Sequence, residues 1–278
     1  MKKPLKRAVA GLTLASISFM SGLEAGKLYA RMFPEESITN RSYQVYTLQE
    51  DGNHYKNNSI KNNLSVDEEI FELDREGVKK ILKTYGYKDK EIQEYLSVFP
   101  WLDEIKKICD ELGIDDYHFY AAKVFVESSG NPLSVSKQWY ARGLLGTRYA
   151  GAYLEIWNLV HSKEKRYQRL RERFPKIYQY FKDKLQGDKL QVWKKYMIEN
   201  PDPEFGLWLG ITYSLLLDDG DKITTEVKYN VGPTFFKKNP HKAVKNASRH
   251  VRKVLRYERK FKEMNQCLKE YMESYKNI

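Results

Sequence analysis

Hydrophobic residues recur three to four positions apart along most of the chain after residue 65, which is the spacing of one helix face. Ser65 and Glu68 have the pattern of a capping box ahead of the first such run, and Gly86 follows its end. The pattern predicts further helices over residues 90–98, 102–112, 117–129, 153–160, 163–185, 190–198, 205–217, 224–229 and 243–275, with Pro175 kinking or splitting the one over 163–185. Almost no segment alternates like a strand, so the sequence predicts one mainly helical domain over residues 65–278.

The N-terminal segment has a different pattern. Four basic residues, Lys2, Lys3, Lys6 and Arg7, precede an uncharged stretch over residues 8–23. A basic flank followed by an apolar segment is typical of a signal sequence. The candidate cleavage sites place bulky Leu23 or Leu28 where a small residue is preferred, which favours an uncleaved signal anchor over residues 1–32. A cleaved signal peptide is the alternative, and polar, Asn-rich residues 33–64 are predicted to be a spacer.

The basic flank also predicts where residues 33–278 are located. Such a flank stays on the cytoplasmic side of the membrane, so residues 33–278 are expected in the periplasmic cell envelope. Residues 8–32 would anchor them to the cytoplasmic membrane, unless signal cleavage releases the protein. In an oxidising compartment Cys109 and Cys267 could form a disulfide, with two free thiols as the alternative. Neither the cysteines nor the histidines have the spacing of a metal site, so we expect no metal and no cofactor.

Charge changes the picture of possible partners. The chain carries a net charge of +11, and its aromatic content of 14% is far too high for a disordered protein. Residues 161–200 and residues 241–278 each carry a net charge of +7. Basic blocks of this kind can attract nucleic acid, anionic lipid or an anionic polymer, although a solvated helix face is the common alternative. Export makes nucleic acid an unlikely partner.

Glu127 is the candidate catalytic residue. It ends the predicted helix over 117–129, where the neighbouring positions are apolar and Gly130 is expected to form the C-cap. Burial and the negative end of the helix dipole both raise the pKa of a carboxyl group, so Glu127 could stay protonated and act as a general acid. No other acidic residue has an apolar setting in the sequence. A solvated Glu in a frayed last turn is the alternative.

Ordered motifs surround and follow Glu127. They are Glu127-Ser128 with Asn131-Pro132 and then Ser136, Gly143-Leu144-Leu145, Asp202-Pro203 with Gly210, Tyr229-Asn230-Val231-Gly232-Pro233, and finally Val251 with Val254. In this order they resemble the motifs of the soluble lytic transglycosylase (SLT) family of lysozyme-like enzymes, which cleave the glycan strands of peptidoglycan. The resemblance covers about residues 100–257, and agreement of several ordered motifs is more specific than any one of them.

The resemblance implies a lysozyme-like helical domain that cleaves the MurNAc–GlcNAc β-1,4 bond and leaves a 1,6-anhydro product. It implies that Glu127 is the single general acid and base. The substrate-binding residues that it implies are Ser136, Gly143, Leu144, Leu145, Tyr229 and Asn230. Peptidoglycan glycan strands would be the substrate and the inner membrane a partner through the N-terminal segment. A hydrolytic goose-type lysozyme and an inactive peptidoglycan-binding or scaffold module are the alternatives.

Three departures from the family pattern affect this interpretation. Gly146 stands where the family usually has a Gln, and Gly206 replaces a usual Asn. The spacing between the second and third motifs is about twice the usual one, which predicts a helical insertion at about residues 152–200. We expect this basic insertion to form a helical lobe beside the substrate groove that attracts the anionic peptide stems of peptidoglycan or the membrane surface. Removal of about residues 162–191 should then reduce binding to sacculi while sparing the fold.

Overall fold

The computed structural model describes residues 70, 71, 73–136 and 140–276. Apart from residue 140, the described residues belong to one compact unit, which is the first of two units in the chain. The predicted signal anchor, the spacer and the capping box at Ser65 lie outside the described residues. Among the residues described, no helix is both long enough and apolar enough to cross a membrane.

Twelve α-helices are described in the first unit. They are α1 (Arg75–Thr84), α2 (Asp89–Leu96), α3 (Leu102–Leu112), α4 (Tyr117–Ser128), α5 (Leu154–His161), α6 (Lys165–Arg173), α7 (Pro175–Lys184), α8 (Lys189–Lys194), α9 (Pro203–Leu217), α10 (Lys222–Val231), α11 (Pro233–Lys238) and α12 (Pro240–Lys276). Short helical turns at Phe99–Trp101, Tyr149–Tyr153 and Lys195–Glu199 complete them. The described residues contain two isolated β-bridges and no strand. The predicted mainly helical class is therefore confirmed.

Capping and breaking residues explain the helix boundaries. Asp74 accepts a hydrogen bond from the N–H of Gly77 at the start of α1, and Asp202 does the same for Phe205 at the start of α9. Pro175 separates α6 from α7, so the predicted split is confirmed. Helix α11 was not predicted, because its six residues are too few to show a periodic pattern.

Helices α4 and α12 form the centre of the packing that positions the site. Most side chains of α4 are buried, and α12 packs along it and along α10. Buried residues of α12 recur every three to four positions: Ala243, Ala247, Val251, Val254, Tyr257, Phe261, Met264 and Leu268. One apolar stripe thus holds a helix of 37 residues against the domain. Most of its basic residues are exposed, so the charged block is largely a solvated face, although Lys260 pairs with Glu91 and Glu94 of α2.

The predicted insertion is helical, but it shares the main core of the domain. Phe181, Leu185 and Trp193 are fully buried and belong to the same apolar cluster as the central helices. Phe181 packs edge-on against Phe205 of α9 at 5.7 Å between ring centroids. Excising this segment would expose the main core to water. This burial argues against the expectation that removal of about residues 162–191 would spare the fold.

Both cysteines are free thiols in the structure. Cys109 is buried in α3, and Cys267 is partly buried on α12 beside the hydroxyl group of Tyr87. Burial raises the pKa of the Cys109 thiol to about 12. The alternative of two free thiols therefore describes this structure.

Gly130 lies where α4 meets the end of α2. Its φ angle is +78°, and a Cβ atom there would approach the carbonyl oxygen of Ser97 to 1.8 Å. Its own carbonyl oxygen accepts a hydrogen bond of 2.9 Å from the indole N–H of Trp101. The atoms that a Cβ would meet belong to the backbone of Ser97 and Val98, so the contact leaves no room for a side chain.

We expect Gly130→Ala to lower the free energy of unfolding by about 2–5 kcal/mol, because it adds a clash to the strain of a left-handed backbone. Gly113→Ala is the matched control, since Gly113 has a φ of +69° but no atom within 4 Å of an added Cβ. The control should lose only about 1–2 kcal/mol. Urea denaturation of both variants measures the difference. Equal losses would show that the close approach to Ser97 does not matter.

Candidate active site

Glu127 lies in the last turn of α4, next to the end of the helix. The C-cap is Ser129, with a left-handed φ of 54°, and Gly130 follows it with a second positive φ. The prediction that Gly130 forms the cap was therefore one residue late. The hydroxyl group of Ser128 donates back to the carbonyl oxygen of Val124 at 2.8 Å, which closes the final turn. The cap at Ser129 and the hydrogen bond of Ser128 together define where the helix ends, and they therefore position Glu127.

The carboxyl group of Glu127 is mostly enclosed but still accessible. Its side chain retains 21% of its exposed surface. Burial raises the pKa of Glu127 above its ordinary value, and the negative charge of Glu226 adds to that effect. The positive groups of His250, Lys123 and Arg148 act in the opposite direction without cancelling it. The shift favours the protonated form of a carboxyl group that solvent can still reach, which is the arrangement that suits a general acid.

Gly146 faces this carboxyl group directly. A Cβ atom at Gly146 would lie 2.7 Å from Oε2 of Glu127, and the φ angle of this glycine is +58°. A side chain would therefore collide with the carboxyl group and strain the backbone as well. This contact gives a physical reason for the departure at Gly146, because the space that a Gln would need is occupied by Glu127.

Tyr229 links the motif that contains Gly146 to helix α10. Its hydroxyl group donates a hydrogen bond of 2.8 Å to the carbonyl oxygen of Leu145. Its buried ring faces Nζ of Lys123, 3.3 Å from the ring centroid. Burial raises the pKa of Tyr229 well above its usual value, and the charge of Glu127 contributes to the shift. Tyr229 therefore remains a neutral hydrogen-bond donor.

Asn230 is half-buried beside Tyr229 on the same helix. Its carbonyl oxygen accepts a hydrogen bond of 3.0 Å from Nη2 of Arg148. The structure therefore brings together three of the predicted motifs: the one that begins with Glu127, the one over 143–145 and the one at 229–230. The first and the last lie far apart in the sequence, and the packing of both α4 and α10 on α12 creates their proximity.

The remaining predicted binding residues have supporting positions. Leu144 and Leu145 have fully buried side chains, so they can contribute only through their backbone. Gly143 has a φ of +74°, and its N–H donates to the carbonyl oxygen of Ser134. Ser136 lies in the loop after α4, where its N–H donates to the carbonyl oxygen of Ala141 at 2.8 Å. These residues shape the loop that carries Gly146.

Three charged residues that the sequence did not indicate adjoin Glu127. Glu226 of α10 and Lys123 of α4 form an ion pair of 2.9 Å, with side chains that are 1% and 0% exposed. His250 of α12 places its Nε2 atom 2.8 Å from Oε1 of Glu226 and 3.4 Å from Oε1 of Glu127. The prediction that Glu127 alone has an apolar setting was therefore wrong, because Glu226 is buried more deeply.

The two carboxyl groups have opposite ionisation behaviour. Burial by itself would raise the pKa of Glu226, but Lys123 and His250 outweigh it and lower that pKa below its ordinary value. Lys123 is held in turn by the hydroxyl group of Ser214 at 2.7 Å. The surroundings thus favour the ionised form of Glu226 and the protonated form of Glu127. Separated pKa values in neighbouring carboxyl groups are typical of sites with an assigned acid.

A metal ion at this cluster is a possibility that the geometry raises. Glu127, Glu226 and His250 each place one nitrogen or oxygen atom within 4.8 Å of the others. Glu226, however, already pairs with the ammonium group of Lys123, which a bound dication would approach and repel. The donor set therefore fits an internal ion-pair network better than a metal centre.

Comparisons of this chain with family models, with curated proteins and with solved structures found no match.

Proposed function

We propose that this protein is an exported peptidoglycan lytic transglycosylase with a lysozyme-like helical domain, held at the cytoplasmic membrane by its N-terminal segment. The observation that carries the proposal is the state of Glu127, a partly accessible carboxyl group with a raised pKa beside Gly146 and Tyr229. The motifs that resemble those of the transglycosylase family surround this same group.

The position of the second carboxyl group supports a single-acid mechanism. Two-carboxylate glycosidases separate their groups by about 5–5.5 Å or by about 6.5–9.5 Å across the bond that is cleaved. Here an oxygen of Glu226 lies within 4.8 Å of Glu127, and its side chain is 1% exposed and bound to Lys123. Glu226 therefore cannot reach a sugar as a nucleophile. N-acetylated sugars need no such nucleophile, because their own acetamido group can take that role.

The proposed reaction uses Glu127 twice. Its proton passes to the glycosidic oxygen while the bond from that oxygen to C1 breaks, and the leaving oxygen keeps the electron pair. The carbonyl oxygen of the substrate's N-acetyl group stabilises the positive charge at C1. The oxygen of the sugar's 6-hydroxyl group then bonds to C1, and the carboxylate of Glu127 accepts the proton that this hydroxyl group loses. This step forms the 1,6-anhydro ring and restores protonated Glu127.

Digestion of purified sacculi by the wild-type protein tests this proposal. We expect soluble muropeptides that end in 1,6-anhydro-MurNAc, identified by mass spectrometry as species 18 Da lighter than those with reducing ends, the mass of about one water molecule that hydrolysis adds. Muropeptides with reducing ends alone would instead indicate a hydrolytic lysozyme. Binding to sacculi without any release would indicate the inactive scaffold.

A further inference from the structure

His250 connects the buried ion pair to the candidate acid. It comes from α12, Glu226 comes from α10 and Glu127 comes from α4, so each of three packed helices contributes one group. A single ring nitrogen, Nε2, faces both carboxyl groups, at 2.8 Å from Glu226 and 3.4 Å from Glu127. The side chain of His250 is 17% exposed, so water competes little for this nitrogen.

The pairing of Glu226 decides which protonation state of Nε2 is present. An ionised carboxylate can only accept hydrogen bonds, and Glu226 is ionised because it pairs with Lys123. Nε2 of His250 must therefore carry a hydrogen atom that it donates to Glu226. The hydroxyl group of a protonated Glu127 finds no acceptor at this nitrogen, and its carbonyl oxygen is only a neutral acceptor for the N–H. A Glu127 carboxylate accepts from the same N–H more strongly, as a second and longer acceptor beside Glu226.

We propose that His250 is a positioning residue that stabilises the negative charge appearing on Glu127 when Glu127 gives its proton away. Glu226 and Lys123 hold the imidazole ring so that its N–H is already directed at the place where that charge develops. A donor oriented in advance in a poorly solvated site stabilises such charge more than water does. The inference rests on the proposed function in one respect only, which is that the group receiving the proton of Glu127 is a glycosidic oxygen.

Several groups besides His250 act on Glu127. Glu226 from α10 repels the carboxylate form, while Lys123 from α4 and Arg148 from the loop before α5 favour it. The ring of Tyr229 completes the enclosure and stays neutral. Removal of His250 leaves the repulsion from Glu226 in place and takes away the nearest favourable contact. The protonated form of Glu127 should then persist to higher pH.

A direct test measures the pKa of Glu127 by NMR in protein with ¹³C-labelled glutamate carboxyl groups, using Glu127→Gln to assign the signal. We expect His250→Phe to raise the pKa of Glu127 by about 1 unit, the lower end of shifts caused by a neighbouring charged or donor group. His250→Met serves the same purpose with a flexible side chain if the Phe ring disturbs folding. His250→Gln keeps an N–H donor and should stay closer to the wild type.

His241→Phe is the matched control, because His241 is exposed near the start of the same helix. It should leave the Glu127 signal unchanged. An unchanged pKa of Glu127 in folded His250→Phe or His250→Met would overturn the proposal, and so would an equal shift in the His241 control.

Kinetics on sacculi provide a second readout. We expect kcat to fall about tenfold in His250→Phe, which corresponds to one unit of pKa, with KM unchanged. The alkaline limb of the pH profile should move to higher pH, because the active form of Glu127 is the protonated one. An alkaline limb that stays in place would contradict the proposal. A wild-type protein that cleaves no sacculi would overturn the proposed function alone, and the NMR comparison would still decide the role of His250.

Discussion

Replacing Glu127 with Gln is expected to reduce the release of anhydro-muropeptides from sacculi by about 10²–10⁴-fold, the range typical for loss of a general acid and base. Gln has the size of Glu and can form hydrogen bonds, but it cannot deliver a proton. The rate of release, followed by mass spectrometry or by loss of turbidity, measures the effect. Glu172→Gln is the matched control, since Glu172 is exposed on α6 and should leave the rate unchanged.

The same variant should not be less stable than the wild type. Because burial raises the pKa of Glu127, the folded protein loses stability as the pH rises from the ordinary value of this carboxyl group through its raised value. Glu127→Gln removes this cost, so the free energy of unfolding should be equal to that of the wild type at acidic pH and equal or higher near neutral pH.

Cleavage by Glu127→Gln at nearly the wild-type rate would exclude both the transglycosylase and the single-Glu lysozyme.

Replacing Lys123 with Met is expected to lower the free energy of unfolding by about 3–5 kcal/mol, the usual effect of leaving one partner of a buried ion pair uncompensated. Nζ of Lys123 contacts Glu226 at 2.9 Å, and neither side chain is accessible to water. The substitution also removes the contact of this ammonium group with the ring of Tyr229. Chemical denaturation at neutral pH measures the loss.

An exposed ion pair supplies the control for Lys123→Met. Lys107 pairs with Asp103 at 2.6 Å, but the two side chains are 61% and 46% exposed. Lys107→Met should therefore cost less than about 1 kcal/mol. The loss in Lys123→Met should also shrink as the pH falls, because Glu226 without Lys123 takes up a proton more readily. A small, pH-independent loss in Lys123→Met would contradict the buried ion pair.

Local patterns in the sequence predicted a large part of the fold. Helix α3 has the predicted bounds, and Pro175 divides the helices on either side of it. These features depend on neighbouring residues, because a helix face repeats every three to four positions and proline disrupts hydrogen bonding within one turn. The partial burial of Glu127 was predictable for the same reason, since the apolar residues that precede it lie on its own helix.

The candidate site was predictable only in part. The sequence indicated Glu127, Tyr229 and the loop over 143–146 through motifs that are each short and local. Glu226 and His250 belong to no spaced pattern, and they lie 24 residues apart on different helices. One signal was nevertheless present, since His250 directly precedes the motif residue Val251. A charged residue buried between helices cannot be recognised from sequence periodicity, because exposed helix faces carry the same residue types.

The sequence by itself determined the helical class, most helix boundaries and the candidate acid, because hydrophobic spacing, caps and breakers act within a few residues. Tertiary structure alone decided that the basic segment around α7 contributes to the main core and that three helices bring Lys123, Glu226 and His250 against Glu127. Contacts of this kind depend on how helices pack. Packing is set by the fit of whole apolar faces, and no single stretch of sequence contains that information.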